Sequence, residues 1–228
     1  REGYESVGGF LEARKPADTE YYYRMMRATG RPIKDLKAPL SIIRVLEGSL
    51  SRADFSPGWK HSARRSFRSA YEYWHRSSSR RELYVAPDGS YPVAVPHRYE
   101  IAPTYAQEFD VLFVGEWGAS GRKHESMLEE IKALLGSGYS VAIMNLESGS
   151  SIHVEDQMPL NDEIQRLINQ AKVQEIFYND KAHAKLLILR DPTILEFLPF
   201  ESSDVSVGAM LIIADEYPHE RDGSDIRY

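Results

Sequence analysis

Apolar and polar positions follow two different rhythms along this chain. In residues 61–76, Phe67, Ala70, Tyr71 and Trp74 recur at three and four positions, predicting a helix with one apolar stripe and a densely basic opposite face. Residues 21–29 follow Asp18-Thr19-Glu20 and stop at Gly30-Arg31-Pro32, which reads as a capped helix of about three turns. Residues 39–47 form a β-branched, apolar run and predict a short strand.

Beyond residue 105 the rhythm changes. Residues 110–114 are compactly apolar, a Gly-containing loop Glu116-Trp117-Gly118-Ala119-Ser120-Gly121 follows, and residues 123–135 have helical period. Gly136-Ser137-Gly138 closes that helix before a strand at 139–146. Strand, helix and strand in this order make a βαβ unit, which implies a parallel sheet with right-handed crossovers. A helix at 160–172 and strands at 175–178, 184–189 and 209–214 complete the expectation. The fold class is α/β, a Rossmann-like parallel-sheet domain preceded by a mainly helical segment.

Charge divides the chain in the same place. Residues 1–104 hold 18 Lys and Arg against 12 Asp and Glu, whereas residues 105–228 hold 10 against 22. Pro87, Asp88, Gly89, Pro92, Pro96 and Pro103 break any period between the halves. We therefore expect a helical unit at 1–83, a linker at 84–104 and the α/β domain at 105–228. The chain opens on Arg1-Glu2-Gly3-Tyr4 without a basic n-region or apolar h-region, and reads as an internal piece of a longer polypeptide.

With no cysteine, the chain is without disulfide, zinc-thiolate and thiol-nucleophile chemistry, and suits a reducing compartment. The apolar run around residues 210–214 is far short of the ~18 residues a spanning helix needs. The seven histidines show no metal-ligand spacing, and His153 and His183 read as surface residues. Ser120 lacks the G-x-S-x-G setting of a hydrolase nucleophile.

Three constellations remain. The loop at 115–123 lies between a strand end and a helix start, where open α/β sheets bind ligands; Gly118 and Gly121 allow close backbone approach, and Arg122 and Lys123 add positive charge. It matches neither the dinucleotide fingerprint nor a Walker A loop. Asp18 and Glu20 are a carboxylate pair at a helix start, readable as an N-cap with a dipole partner or as a general base for a hydroxyl. Residues 59–81 interleave aromatics with arginines and histidines, which suits nucleic acid, an anionic membrane surface or the acidic half of the same chain. The acidity of the remainder argues against nucleic acid.

The run Gly8-Gly9-Phe10, Ala17-Asp18-Thr19-Glu20-Tyr21 and Arg24 resembles the G-G-F…E-D-x-D-L-x-x-R segment near the end of the GT-A catalytic domain of family 2 glycosyltransferases. The resemblance covers roughly the first 60 residues and continues through residues 40–47 and Gly48-Ser49-Leu50-Ser51. It implies Asp18 as catalytic base, Glu20 as second acid and Arg24 as the basic position, while Ala17 departs from the usual Glu. The second half, through residues 109–113, Glu129-Glu130-Ile131, Gly138-Tyr139 and Leu189-Arg190-Asp191-Pro192, resembles the N-terminal Rossmann-like half of GT-B glycosyltransferases from bacterial surface-polysaccharide clusters.

Together the resemblances imply a fragment of a cytoplasmic bacterial enzyme, peripheral at the inner face of the membrane, that transfers sugar from a nucleotide-sugar to a glycan or lipid-linked acceptor. They place Arg24, Gly118, Ser120, Gly121, Arg122 and Lys123 in substrate binding. They imply no cofactor in the isolated chain, a divalent Mg or Mn only in the complete enzyme, and an inactive fragment on its own. The rival expectations are a non-catalytic scaffold of the flavodoxin or response-regulator kind, and a flavin- or nucleotide-binding α/β domain.

Overall fold

The computed structural model describes residues 2–13, 16–32, 62–87, 91–100, 107–118, 122–146, 159–190, 192–195 and 203–214. The strand expected at 39–47 lies outside them, as do His153, Ser120 and Gly121. The chain forms two compact units, one built from residues 1–95 and 99–101, the other from 96–98 and 102–228.

The first unit contains α1 (Glu2–Val7), α2 (Ala17–Thr29), α3 (Ser62–Ser77) and a 3₁₀ turn at Arg80–Leu83. Ala63, Phe67, Ala70, Tyr71 and Trp74 form the buried stripe of α3, together with His75. Val7, Leu11, Leu83 and Val85 add to the apolar interior. Asp18 does not cap α2. The helix starts at Ala17, two residues earlier than an Asp18 cap would place it, with Pro16 at the N-cap, and the Pro16 carbonyl accepts from the N–H groups of Thr19 and Glu20. Gly30, left-handed at φ 66°, ends α2 with its N–H donating to the Met26 carbonyl.

A parallel bridge joins Gly8 to Val85. Val85 N donates to Val7 O at 2.9 Å, and Gly9 N to Val85 O at 3.3 Å. Gly8 has φ +72°, and a Cβ there would stand 1.9 Å from the Val85 carbonyl oxygen, so this crossing admits only glycine.

The second unit is a five-stranded, wholly parallel sheet in the order β3-β2-β1-β4-β5. Its strands are β1 (Gln107–Gly115), β2 (Val141–Asn145), β3 (Val173–Glu175), β4 (Ala182–Arg190) and β5 (Val205–Ile213). Helix α4 (Arg122–Gly136) connects β1 to β2, and α5 (Asp162–Asn169) precedes β3. This is the Rossmann-like α/β fold, and its strand order is the dinucleotide-type 3-2-1-4-5, not the 2-1-3-4-5 of flavodoxin-like sheets. The central strands are near-continuous apolar runs because both sheet faces are covered. Leu112, Val114, Ala142, Met144, Ile176, Ala184, Leu189 and Ile194 share one core cluster.

Several boundaries differ from the sequence expectation, among them β1 and β5, which begin earlier, at Gln107 and Val205. Helix α5 stops at Asn169 because Ala171 adopts a left-handed φ of 54°, and it starts after Asn161, whose side chain caps Glu163 N. Strand β3 lies earlier than 175–178, because Asp180 Oδ2 accepts from Phe177 N and turns the chain there. Strand β4 begins early enough to include His183, which is exposed and pairs through Nδ1 with Ser206 Oγ at 2.9 Å. Among the described residues no helix is long and apolar enough to cross a membrane.

Candidate functional site

In the first unit the residues that carried the glycosyltransferase resemblance meet at α2. Glu20 and Arg24, one helical turn apart, are both fully buried. Arg24 Nε donates to Glu20 Oε1 at 2.8 Å and Nη2 to Oε2 at 3.2 Å. The remaining guanidinium donors reach backbone carbonyls: Nη1 to Val7 at 2.5 Å and Leu83 at 3.4 Å, Nη2 to Gly9 at 2.6 Å. His75 of α3 donates from Nε2 to Glu20 Oε1 at 2.9 Å. The guanidinium also lies 5.3 Å from the Tyr21 ring centre and 5.7 Å from that of Trp74.

This cluster ties α2 to α3, to the Gly8–Gly9 crossing and to the 3₁₀ turn. A buried charge pair of this kind needs full hydrogen bonding to offset its desolvation, and the three carbonyls and His75 supply it. Asp18 is different. Its carboxylate is exposed at the start of α2, with Oδ1 accepting from Thr19 N at 2.8 Å and Thr19 Oγ1 at 3.4 Å. Of the carboxylate pair, only Asp18 faces solvent; Glu20 is enclosed by its partners. His75, separated from Glu20 by 55 positions, was counted by sequence among the basic residues of α3. Its place beside Trp74, four residues after Tyr71, continues the apolar stripe and was the readable signal.

The second constellation lies where the strand order reverses, between the carboxyl ends of β1 and β4. Trp117, 1% exposed, fixes the loop after β1. Its N–H donates to Asn145 Oδ1 at 2.8 Å, its indole Nε1 to Met144 O at 3.2 Å, and its carbonyl accepts from Asn161 N at 2.9 Å. His124, buried in the first turn of α4, donates from Nε2 to Glu116 O at 2.5 Å. Arg190, at the end of β4, pairs with Glu130 of α4.

Gly118 is a half-buried bend in this loop, and Arg122 and Lys123 open α4; the side chains of these two fall outside the described residues. The structure therefore brings Gly118 and the α4 start to one rim of the sheet, while Asp18, Glu20 and Arg24 belong to the other unit. Among the described residues no three His, Asp or Glu side chains group closely enough to hold a metal ion. Compared with family models, curated proteins and solved structures, the chain matches none.

Proposed function

We propose that this chain is part of a glycosyltransferase polypeptide, in which Asp18 takes the proton from an acceptor hydroxyl as that oxygen attacks the anomeric carbon of a nucleotide-sugar. The leaving nucleoside diphosphate departs with the bonding electron pair. One observation carries the reading: the buried Arg24 guanidinium joins Glu20 to the carbonyl of Gly9, and Asp18 is the exposed carboxylate on the helix that these bonds fix. A general base must be both reachable and held, and Asp18 is both. Glu20 and Arg24 act as positioning residues. In this reading a divalent Mg or Mn belongs to the complete enzyme, and the step assigned to Asp18 is proton transfer.

In this reading the Rossmann-like unit contributes the rim formed by Gly118, Ser120, Gly121, Arg122 and Lys123, where backbone N–H groups and basic side chains suit phosphate or acceptor contacts. In this reading the enzyme works in the cytoplasm.

The test is release of nucleoside diphosphate from a panel of nucleotide-sugars by the longest natural polypeptide that contains the chain, with and without Asp18→Asn. Loss of about 10²–10⁴-fold in turnover, with donor binding retained, supports the base. Turnover unchanged by the substitution, or no turnover with any donor, overturns the reading.

A further inference from the structure

Phe10 stands at the surface without a polar tip to wet: it is 57% exposed, although phenylalanine belongs among the residues most often buried. Its backbone is pinned from the preceding residue, where the Gly9 carbonyl accepts from Arg24 Nη2 at 2.6 Å and Gly9 N donates to Val85 O at 3.3 Å. Its ring is pinned as well, stacked on Tyr21 with ring centres 4.4 Å apart and 27° between the planes. Tyr21 is half-buried and lies 5.3 Å from the Arg24 guanidinium. The buried tie of the unit therefore holds an open aromatic ring in one orientation. The exposed tyrosines of α2 differ, because Tyr22 and Tyr23 meet edge to face at 5.4 Å and Tyr23 also stacks on Tyr71.

A carboxylate stands beside this stack. Asp18 is three residues before Tyr21 on α2, so the two side chains are neighbours on one side of the helix. Both bonds that Asp18 accepts, from Thr19 N and Thr19 Oγ1, fall on Oδ1, and among the described residues Oδ2 accepts none. An open ring and an open carboxylate oxygen side by side match the two surfaces of a pyranose: C–H groups that make an apolar face, and hydroxyls that donate around its rim. The ring that fits is neutral, since a sugar carrying phosphate at this place is repelled by the Asp18 carboxylate.

We propose that the Phe10–Tyr21 stack is a platform for a neutral pyranose, which lays its C–H face on Phe10 and turns a hydroxyl to Asp18 Oδ2. The transferase reading enters at one point: the hydroxyl so held is the one that Asp18 deprotonates. On that reading the acceptor is a sugar, and Phe10 is its positioning residue.

The 228-residue chain is tested by saturation-transfer NMR with methyl glucoside, methyl galactoside and methyl N-acetylglucosaminide, and with sorbitol as an acyclic polyol. Irradiation of the aromatic protein signals is expected to reach the C–H protons on one face of at least one pyranoside, and not those of sorbitol. The dissociation constant expected for so small a ligand is on the order of 1 mM. Phe10→Ala is expected to weaken binding about tenfold, and Phe10→Trp to preserve it. Exchange protection of the α2 amides checks that Phe10→Ala keeps its fold, and the transfer pattern on the wild-type chain needs no variant. No transfer to any pyranoside, equal transfer to sorbitol, or binding unchanged in Phe10→Ala would overturn the proposal. The assay needs neither donor nor turnover, so it separates the platform from the base. Turnover lost in Asp18→Asn with no pyranoside bound removes the platform and leaves the base. A pyranoside bound at Phe10 with turnover unchanged in Asp18→Asn supports the platform and removes the base.

Discussion

Replacing Arg24 by Met keeps the aliphatic bulk of the side chain and leaves His75 as the one side-chain donor to Glu20 among the described residues. The donors lost are those to Oε1 at 2.8 Å and Oε2 at 3.2 Å, together with the bonds to the carbonyls of Val7, Gly9 and Leu83. Both partners are fully buried, so little water stands ready to take over. Breaking a buried pair from one side costs about 3–5 kcal/mol, because the remaining charge is left uncompensated. Each orphaned carbonyl carries a further penalty of about 1–3 kcal/mol unless water reaches it.

The double variant Glu20→Leu/Arg24→Met removes the stranded carboxylate and retains only the carbonyl and His75 losses. It is expected to be at least ~1 kcal/mol more stable than Arg24→Met alone, a coupling that independent sites would not show. The chain folds as two units, so one global unfolding energy is not the right readout. Native-state hydrogen exchange of the α2 amides reports the local opening energy directly. An Arg24→Met loss below about 1 kcal/mol, or a double variant as unstable as the sum of the singles, would refute the account of Arg24 as the buried tie of this unit.

Other outcomes follow from single contacts. Gly8→Ala places a Cβ 1.9 Å from the Val85 oxygen at a positive φ, and is expected to abolish the Gly8–Val85 bridge, read as lost exchange protection at Val85 N. Trp117→Phe leaves the Met144 carbonyl without its indole donor and is expected to cost about 1–3 kcal/mol, measured by urea unfolding of the second unit. Asp110 is held down to about 2 by the Lys185 ammonium at 2.7 Å and by Ser140 N. Its folded value lies below the unfolded ~3.9, so its contribution is complete above about pH 4 and lost as pH falls through about 2. A melting series over that window should show a shallower acid limb in Asp110→Asn than in wild type. Asp180 is pushed the other way, by burial, so its ionised form opposes folding and Asp180→Asn should gain relative stability as pH rises above the usual carboxylate range.

The central sheet was legible because Val111–Val114, Val141–Met144 and Leu186–Leu189 are unbroken apolar runs, too short for amphipathic helices. The ends were less so. Ser206 and Gly208 interrupt the apolar run of β5, which hid its first residues, and the Ala171 conformation that stops α5 has no signature in the sequence. Helix α1, at six residues, is too short to show a period and depends on Val7 and Gly8 meeting Val85. The same limit governs the site. Asp18, Glu20 and Arg24 could be named from local spacing, whereas the capping role of Pro16, the inward turn of Glu20 and its bond to His75 depend on partners that spacing does not reveal.

The two margins of the sheet are unequal. β3 is three residues long and ends in the Phe177–Asp180 turn, whereas β5 runs for nine residues with Met210, Leu211 and Ile212 about half exposed. A long apolar margin with unpaired peptide groups is a template for a further strand, and a short one is not. Among the described residues, β5 is therefore the margin that offers the longer template for a further strand. Leu211→Lys is expected to raise the concentration at which the chain begins to aggregate, measured by light scattering.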